Sequence, residues 1–360
     1  MRTPRVTLRW LWAAAMSVIV ALGSFGSALA EEYPGLFRGV RPLGMGGAFF
    51  TVSNDENALF YNPAGLDAVK GPARGTILNP YAAVSEHSLG LYREIADLEG
   101  TDEAQVAELL NRHVGEHQHS EAALFPNVYM HDFAIGVLGR AALDLDVRNP
   151  ADPEVATDAK VDVAGLVGVA HGFWNQLLQV GATGKYVRRE GVKKTFQTAD
   201  IVVNFDPFSE RDREADFAFD LGATLNLPVL FRPSVAVVMQ NIGDLDFGAL
   251  GVIPQQLHVG LGLHPDFWGL SNTLALEIHD VTKQIDNDND AYKRVHIGAE
   301  VRFPKMLAVQ AGVNQGYYTA GITLDFGIVT MAAATYAEEL GTFAGQRADR
   351  RYVAQIGLGF

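Results

Sequence analysis

The chain has 360 residues, no cysteine and a formal charge of −14. Without cysteine it has no disulfides, thiolate metal sites or thiol catalysis, and its acidic balance makes it a poor binder of nucleic acid. Its 37 glycines and 48% hydrophobic residues suit a large soluble domain or a membrane barrel, and past the N-terminus no stretch is long and apolar enough for a spanning helix.

The first thirty residues read as a cleaved secretory signal peptide, 1–30. Arg2, Arg5 and Arg9 form a basic start, Trp10 to Leu22 is an apolar run, and Ala28-Leu29-Ala30 is a small-residue cleavage site. The mature chain then begins near Glu31.

Residues 31–70 are neither signal nor strand. Gly44, Gly46 and Gly47 permit tight turns and close backbone approach. Asn54 or Asp55 can cap a short turn holding Ala58, Leu59 and Phe60. Asn62-Pro63 has the form of an N-cap followed by the first helical position, and Gly65 lets that turn end. The segment is too apolar for a solvated tail and too short for a domain, so it is expected to lie as a plug inside the structure formed by the rest of the chain.

From residue 74 the chain alternates apolar and polar residues with period 2. The alternation predicts strands at 74–84, 121–130, 132–147, 160–171, 176–190, 215–226, 233–243, 254–265, 270–281, 290–303, 306–314, 317–326, 328–338 and 350–360. Pro80 and Pro126 weaken two of them. The connections alternate short and long, with Gln315-Gly316 as an exception among the long ones. An even strand number and this alternation suit a single-chain outer-membrane barrel over residues 71–360, with both ends on the periplasmic side. Residues 92–120 interrupt the pattern. Thr101 as cap and the stripe Val106, Leu109, Leu110 and Val114 predict a helical insertion in the first outer loop, covering the barrel mouth.

The last strand has one apolar row, Tyr352, Ala354, Ile356, Leu358 and Phe360. That row suits hydrocarbon, with aromatic residues at the two interfaces. A terminal aromatic closing such a strand resembles the assembly signal of Gram-negative outer-membrane barrels. Tyr352, Ile356, Leu358 and Phe360 are therefore the residues expected to meet the barrel assembly machinery.

The other row of the strands carries a polar wall: His258, Glu277, His279, Arg294, His296, Glu300 and Arg302. Opposite charges there neutralise one another and hold the plug, in preference to forming an active site. Gly260, Gly262, Gly298, Gly312, Gly321, Gly357 and Gly359 lie on the same row. They either leave room for the plug backbone or assist barrel curvature. His113 and His117 stand four apart and could share a helix face with a metal, or belong to a polar surface loop, which is the reading adopted. Asp286 to Asp290 resembles the start of a calcium loop but has Ala291 where glycine is needed and no closing glutamate, so it is read as a solvated turn. No catalytic residue, cofactor or metal is expected.

The run Gly44-Met45-Gly46-Gly47-Ala48, then Asp55, Ala58 and Asn62-Pro63-Ala64-Gly65-Leu66, resembles the N-terminal signature of the FadL-like and PorV/PorQ-like outer-membrane proteins. The resemblance implies an all-β, fourteen-stranded antiparallel barrel with an N-terminal hatch in its lumen, in the outer membrane of a Gram-negative bacterium. It implies outer-membrane lipids and the assembly machinery as partners. It also implies a hydrophobic small molecule as ligand, met by Phe49, Phe50, Leu59 and Phe60 on a hatch shaped by Asp55, Asn62, Pro63 and Gly65. The alternative is an accessory barrel whose partner is a protein secretion or cell-surface system.

Overall fold

A computed structural model describes residues 34–96, 103–149, 153–197, 211–267, 269–285, 290–304 and 306–360. Among these, fourteen antiparallel strands close into one barrel. They are β1 (Arg74–Leu78 and Tyr81–Ser85), β2 (His117–Leu124 and Asn127–Met130), β3 (Phe133–Arg148), β4 (Glu154–Phe173), β5 (Leu178–Gln197), β6 (Asp212–Asn226) and β7 (Ser234–Ile242). They continue as β8 (Gln256–Leu263), β9 (Leu270–Ile278), β10 (Val295–Arg302), β11 (Leu307–Asn314), β12 (Tyr317–Asp325), β13 (Val329–Glu339) and β14 (Ala348–Gly359). Each pairs with the next, and β14 pairs with β1 through Tyr352–Val84 and Ala354–Ala82, which closes the wall. Closure leaves no unpaired edge, as hydrocarbon requires.

The two rows fall as the alternation predicted. Ile297 is 46% exposed and Ile322 45%, whereas His296 is 4% exposed. Tyr352, Ile356, Leu358 and Phe360 all face outward.

β1 and β2 are both interrupted, at Asn79-Pro80 and Phe125-Pro126. Proline cannot donate to the ladder. Asn79 mends the gap: its Nδ2 donates to the Phe125 carbonyl at 2.8 Å, and its Oδ1 accepts from the Phe125 N–H at 2.6 Å.

Three departures from the sequence reading stand out. First, β4 and β5 are longer than expected, β4 beginning at Glu154 and β5 running on to Gln197, so the third connection shrinks to residues 149–153. Second, the expected 92–120 insertion becomes two helices, α1 (Glu86–Ala96) and α2 (Glu103–Arg112), and β2 already begins at His117. Thr101, its predicted cap, lies outside the described residues, as do the signal segment and 286–289. Third, α2 does not cover the mouth. Its Val106 and Leu110 pack on Val147 and Val155, which oppose each other on the outward face of the tall β3–β4 wall. What folds inward instead is the connection after β7. Leu245, Phe247, Leu250 and Ile253 are buried in the same apolar cluster as the plug, and the Arg189 guanidinium stacks 4.3 Å over Phe247.

Candidate functional site

Residues 34–70 thread the barrel lumen. They contain a one-turn helix at Val40–Gly44 and 3-10 turns at Glu56–Leu59 and Pro63–Ala68. Local chemistry fixes both turns as the sequence suggested. Asp55 accepts from the Asn57 N–H, and Asn62 accepts from the Ala64 N–H with Pro63 in the first turn. Gly46 and Gly47 take positive φ, +67° and +80°, where a side chain would be strained. Gly65 lies so close to the Ser53 carbonyl that a β-carbon has no room.

The wall is built to receive this segment. A β-carbon on Gly260 or Gly262 would meet Thr51, one on Gly298 would meet Met45 and Ala48, and one on Gly312 would meet Met45 and Gly46. Gly321 faces the Gly44 backbone. These five were expected, and they follow the plug rather than the curvature. Gly357 and Gly359 do not: a β-carbon there would meet Thr76 or Gly75 of β1, at the closing seam. Four further glycines were missed. Gly168 carries Leu59 and Leu66, Gly172 the Asp67 carboxylate, Gly181 Pro63, and Gly222 the Asn62 amide. Their strands alternate like the others, and a glycine at an inward position was the available signal.

The polar wall holds plug backbone. The Glu277 carboxylate accepts from the N–H of Phe49 (2.9 Å) and of Thr51 (3.1 Å). The His296 Nδ1 lies 2.7 Å from the Gly46 carbonyl, and Thr319 donates to the Gly44 carbonyl at 2.9 Å. Gln240 donates to the carbonyls of Phe60 and Tyr61. Glu300 takes both prongs of the Arg41 guanidinium, at 2.7 and 2.8 Å. Arg41 also reaches Asp55 at 2.6 Å, so one buried cation joins wall and plug. Arg38 pairs with Glu338 at 2.6 Å. The sequence reading missed Arg38, Arg41, Gln240 and Thr319; basic residues inside an apolar segment were the only hint.

His258 and His279 lie against the Phe50 ring at 4.5 and 4.7 Å, and His279 stacks on His296 at 3.6 Å. Two members of the predicted wall stand apart from the plug. Arg294 precedes β10 and donates to the Asp280 carbonyl, and Arg302 pairs with Glu300.

Phe49, Phe50, Leu59 and Phe60 are all buried. Phe60 joins Phe37, Tyr81 and Phe125 in an edge-packed aromatic group. Below the plug a cavity of about 1000 Å³ opens toward the short connections. Arg41, Asp55, Glu56, Thr224, Asn272 and Arg302 are among its lining residues, which makes it a polar vestibule. Burial, and next the neighbouring Asp55 carboxylate, push the Glu56 carboxyl up to about 7.

The histidines of the first outer loop are not arranged as a helical pair. His113 follows α2 and bonds Glu116 at 2.7 Å. His117 and His119 lie on β2 facing Asp144 and Asp146 of β3, with His119 Nδ1 2.6 Å from Asp144. Asp290 caps the turn Ala291–Arg294 and accepts from the Ala344 N–H.

Comparison with family models and with curated proteins finds no match. Solved structures do resemble the chain. The toluene transporter TbuX of Ralstonia pickettii aligns with a TM-score of 0.50 at 11% identity, over 91% of this chain and 98% of that one. A FadL homologue of Pseudomonas aeruginosa aligns at 0.49 and 11%, over 92% and 99%. The toluene transporter TodX of P. putida aligns at 0.47 and 12%, over 91% and 98%. At such identities the likeness to TbuX is one of fold.

Proposed function

We propose that this chain, whose fold is that of the FadL-like outer-membrane barrels, is a plugged channel for small hydrophobic compounds. One observation carries the reading: a non-strand segment with a phenylalanine- and leucine-rich core fills the lumen, seated on glycines and on hydrogen bonds to its backbone. A purely structural barrel has no need of a separate insert. Phe49, Phe50, Leu59 and Phe60 supply the apolar surface that a compound meets as the plug shifts, and the vestibule is its exit. TbuX, described as a toluene transporter, sets the size class of compound to try first. The signal peptide at 1–30 delivers the chain for export, and the outward row ending at Phe360 is what the assembly machinery reads.

The test is uptake of labelled toluene by liposomes containing the protein, against liposomes with the Gly222→Ala and Glu300→Gln variants. Uptake no faster than in protein-free liposomes sinks the channel reading.

A second reading is an accessory role in a secretion or cell-surface system. It is favoured by the outer half of the lumen, where Arg140 joins Glu121 and Asp162, and Asp162 joins Arg189, beneath the inward-folded connection. A charged ladder is an unfavourable path for an apolar molecule. Co-purification of a stoichiometric protein partner, with no toluene uptake, supports this reading over the first.

A further inference from the structure

Where the plug meets the short-turn rim, four metal-ligating side chains converge from three separate pieces of chain. Asp67 belongs to the plug turn Pro63–Ala68 and is 3% exposed. His131 and Asp132 form the turn between β2 and β3, and His171 lies near the end of β4. One ligand atom each from Asp67, His131 and Asp132 lie within 4.8 Å of one another. His131 Nε2 is 3.9 Å from Asp67 Oδ1 and 3.7 Å from Asp132 Oδ2. His171 Nδ1 is 3.9 Å from the same Asp132 Oδ2.

These contacts do not satisfy one another. Distances of 3.7 to 3.9 Å are beyond hydrogen bonding. Asp132 Oδ1 is buried without a hydrogen-bond partner. Two carboxylates face each other across the group, which repels unless a cation or a proton lies between them. The backbone holds them there regardless. The Asp132 N–H donates to the Leu66 carbonyl at 3.2 Å, with Asp132 in the left-handed region at φ 66°. Gln179 fixes the other Asp67 oxygen at 2.7 Å.

The cluster at the opposite end of the barrel makes a contrast. There His117 directs one nitrogen to Asp144 and the other to Asp146, and Arg347 also pairs with Asp146. The closest contacts there, His119 Nδ1 to Asp144 at 2.6 Å and Arg347 to Asp146 at 2.8 Å, are ion pairs of opposite charge at hydrogen-bond distance, although Nε2 of His117 and of His119 is left without a hydrogen-bond partner.

We propose that Asp67, His131, Asp132 and His171 bind one divalent transition-metal ion, zinc in preference to calcium, and that the ion ties the plug to the barrel rim. Two imidazoles and two carboxylates are a zinc donor set, whereas calcium takes six or more oxygens. Ligand atoms around a tetrahedral zinc lie roughly 3.4 Å apart. Three of the ligand pairs, at 3.7 to 3.9 Å, are within a few tenths of an ångström of that spacing, and His171, in reach of Asp132 alone, must swing further inward to complete the set. His131 and His171 have exposed side chains that can make the movement. Binding stands independently of the channel reading; its consequence for plug release rests on it.

The test is titration calorimetry with zinc chloride on the full chain in detergent, stripped beforehand with EDTA. Wild type and a His119→Ala variant should each take up zinc at this site, while His131→Ala/His171→Ala and Asp132→Asn should bind it about tenfold or more weakly. A heat-shift gel confirms that each variant is folded, and the two histidines are exposed enough to be replaced safely. Zinc uptake unchanged in the double-histidine variant, uptake lost in His119→Ala instead, or calcium binding as tightly as zinc overturns the site. Planar-bilayer conductance then tests the tie. EDTA should raise wild-type conductance and leave the double-histidine variant unchanged; no rise in wild type overturns the tie. Neither readout depends on toluene uptake.

Discussion

Arg41 of the plug and Glu300 of β10 meet through two hydrogen bonds, 259 residues apart in sequence. Both side chains are buried, and Asp55 completes the charge balance from the plug side. Glu300→Gln leaves the guanidinium short of one counter-charge in a low-dielectric lumen. Removing one partner of a buried pair costs about 3–5 kcal/mol. The expected outcome is a barrel that still inserts but conducts ions, because the loss falls on plug seating and the wall's backbone ladder is intact. Unchanged single-channel conductance would show that the pair does not hold the plug.

Gly222 tests the glycine seats separately. An added β-carbon there strikes the Asn62 amide, which caps the turn at Pro63 and donates to the Phe50 carbonyl. Gly222→Ala should destabilise the plugged state by roughly 1–3 kcal/mol through overpacking. Gly165→Ala, where a β-carbon meets nothing within 4 Å, should behave as wild type. Conductance and thermal unfolding read both.

Exposure assigns the membrane face. Ile297→Arg or Ile322→Arg should cost about 2–4 kcal/mol if the site lies near the bilayer midplane. Thr323→Arg, on the inward row beside the vestibule, should insert far better. His296 is not a suitable inward control, since it holds the Gly46 carbonyl. Urea titration of folded protein in liposomes gives the comparison, and equal losses on both rows would contradict the assignment.

Glu56 gives the plug a pH dependence. Its folded value of about 7 lies above the ordinary 4.5, so the proton favours the plugged state. That contribution is full below the ordinary value and is lost as pH rises through about 7. Wild type should leak more ions at about pH 8 than at about pH 5, and Glu56→Gln should flatten the difference. A profile just as steep in Glu56→Gln places the titrating group elsewhere.

Phe360 closes the barrel through backbone bonds in both directions with Gly75, at 3.0 and 3.2 Å. Its ring lies over Gly75, where a β-carbon would strike it. Deleting Phe360 should reduce heat-modifiable protein in the outer-membrane fraction, with degraded or aggregated chain in its place. Insertion at the wild-type level would remove this residue from the assembly role.

The sequence by itself determined the strand number, the outward row, most of the alternation of short and long connections, and the cap at Asn62; for the other turn it offered Asn54 or Asp55, of which Asp55 is the cap. These depend on neighbours within a few residues: a period of two, or a side chain bonding an N–H two positions on. Only the tertiary structure decided which inward residues meet. The pairing of Arg41 with Glu300, the seats at Gly168, Gly172, Gly181 and Gly222, and the approach of Asp67 to Asp132 depend on the path of the plug through the lumen. The destination of α2 was equally out of reach. Its apolar stripe called for a partner, and the tall β3–β4 wall offers one in Val147 and Val155 on its outward face. Local periodicity sets which side of an element is apolar; the surface that covers it is chosen by chain closure over long distances.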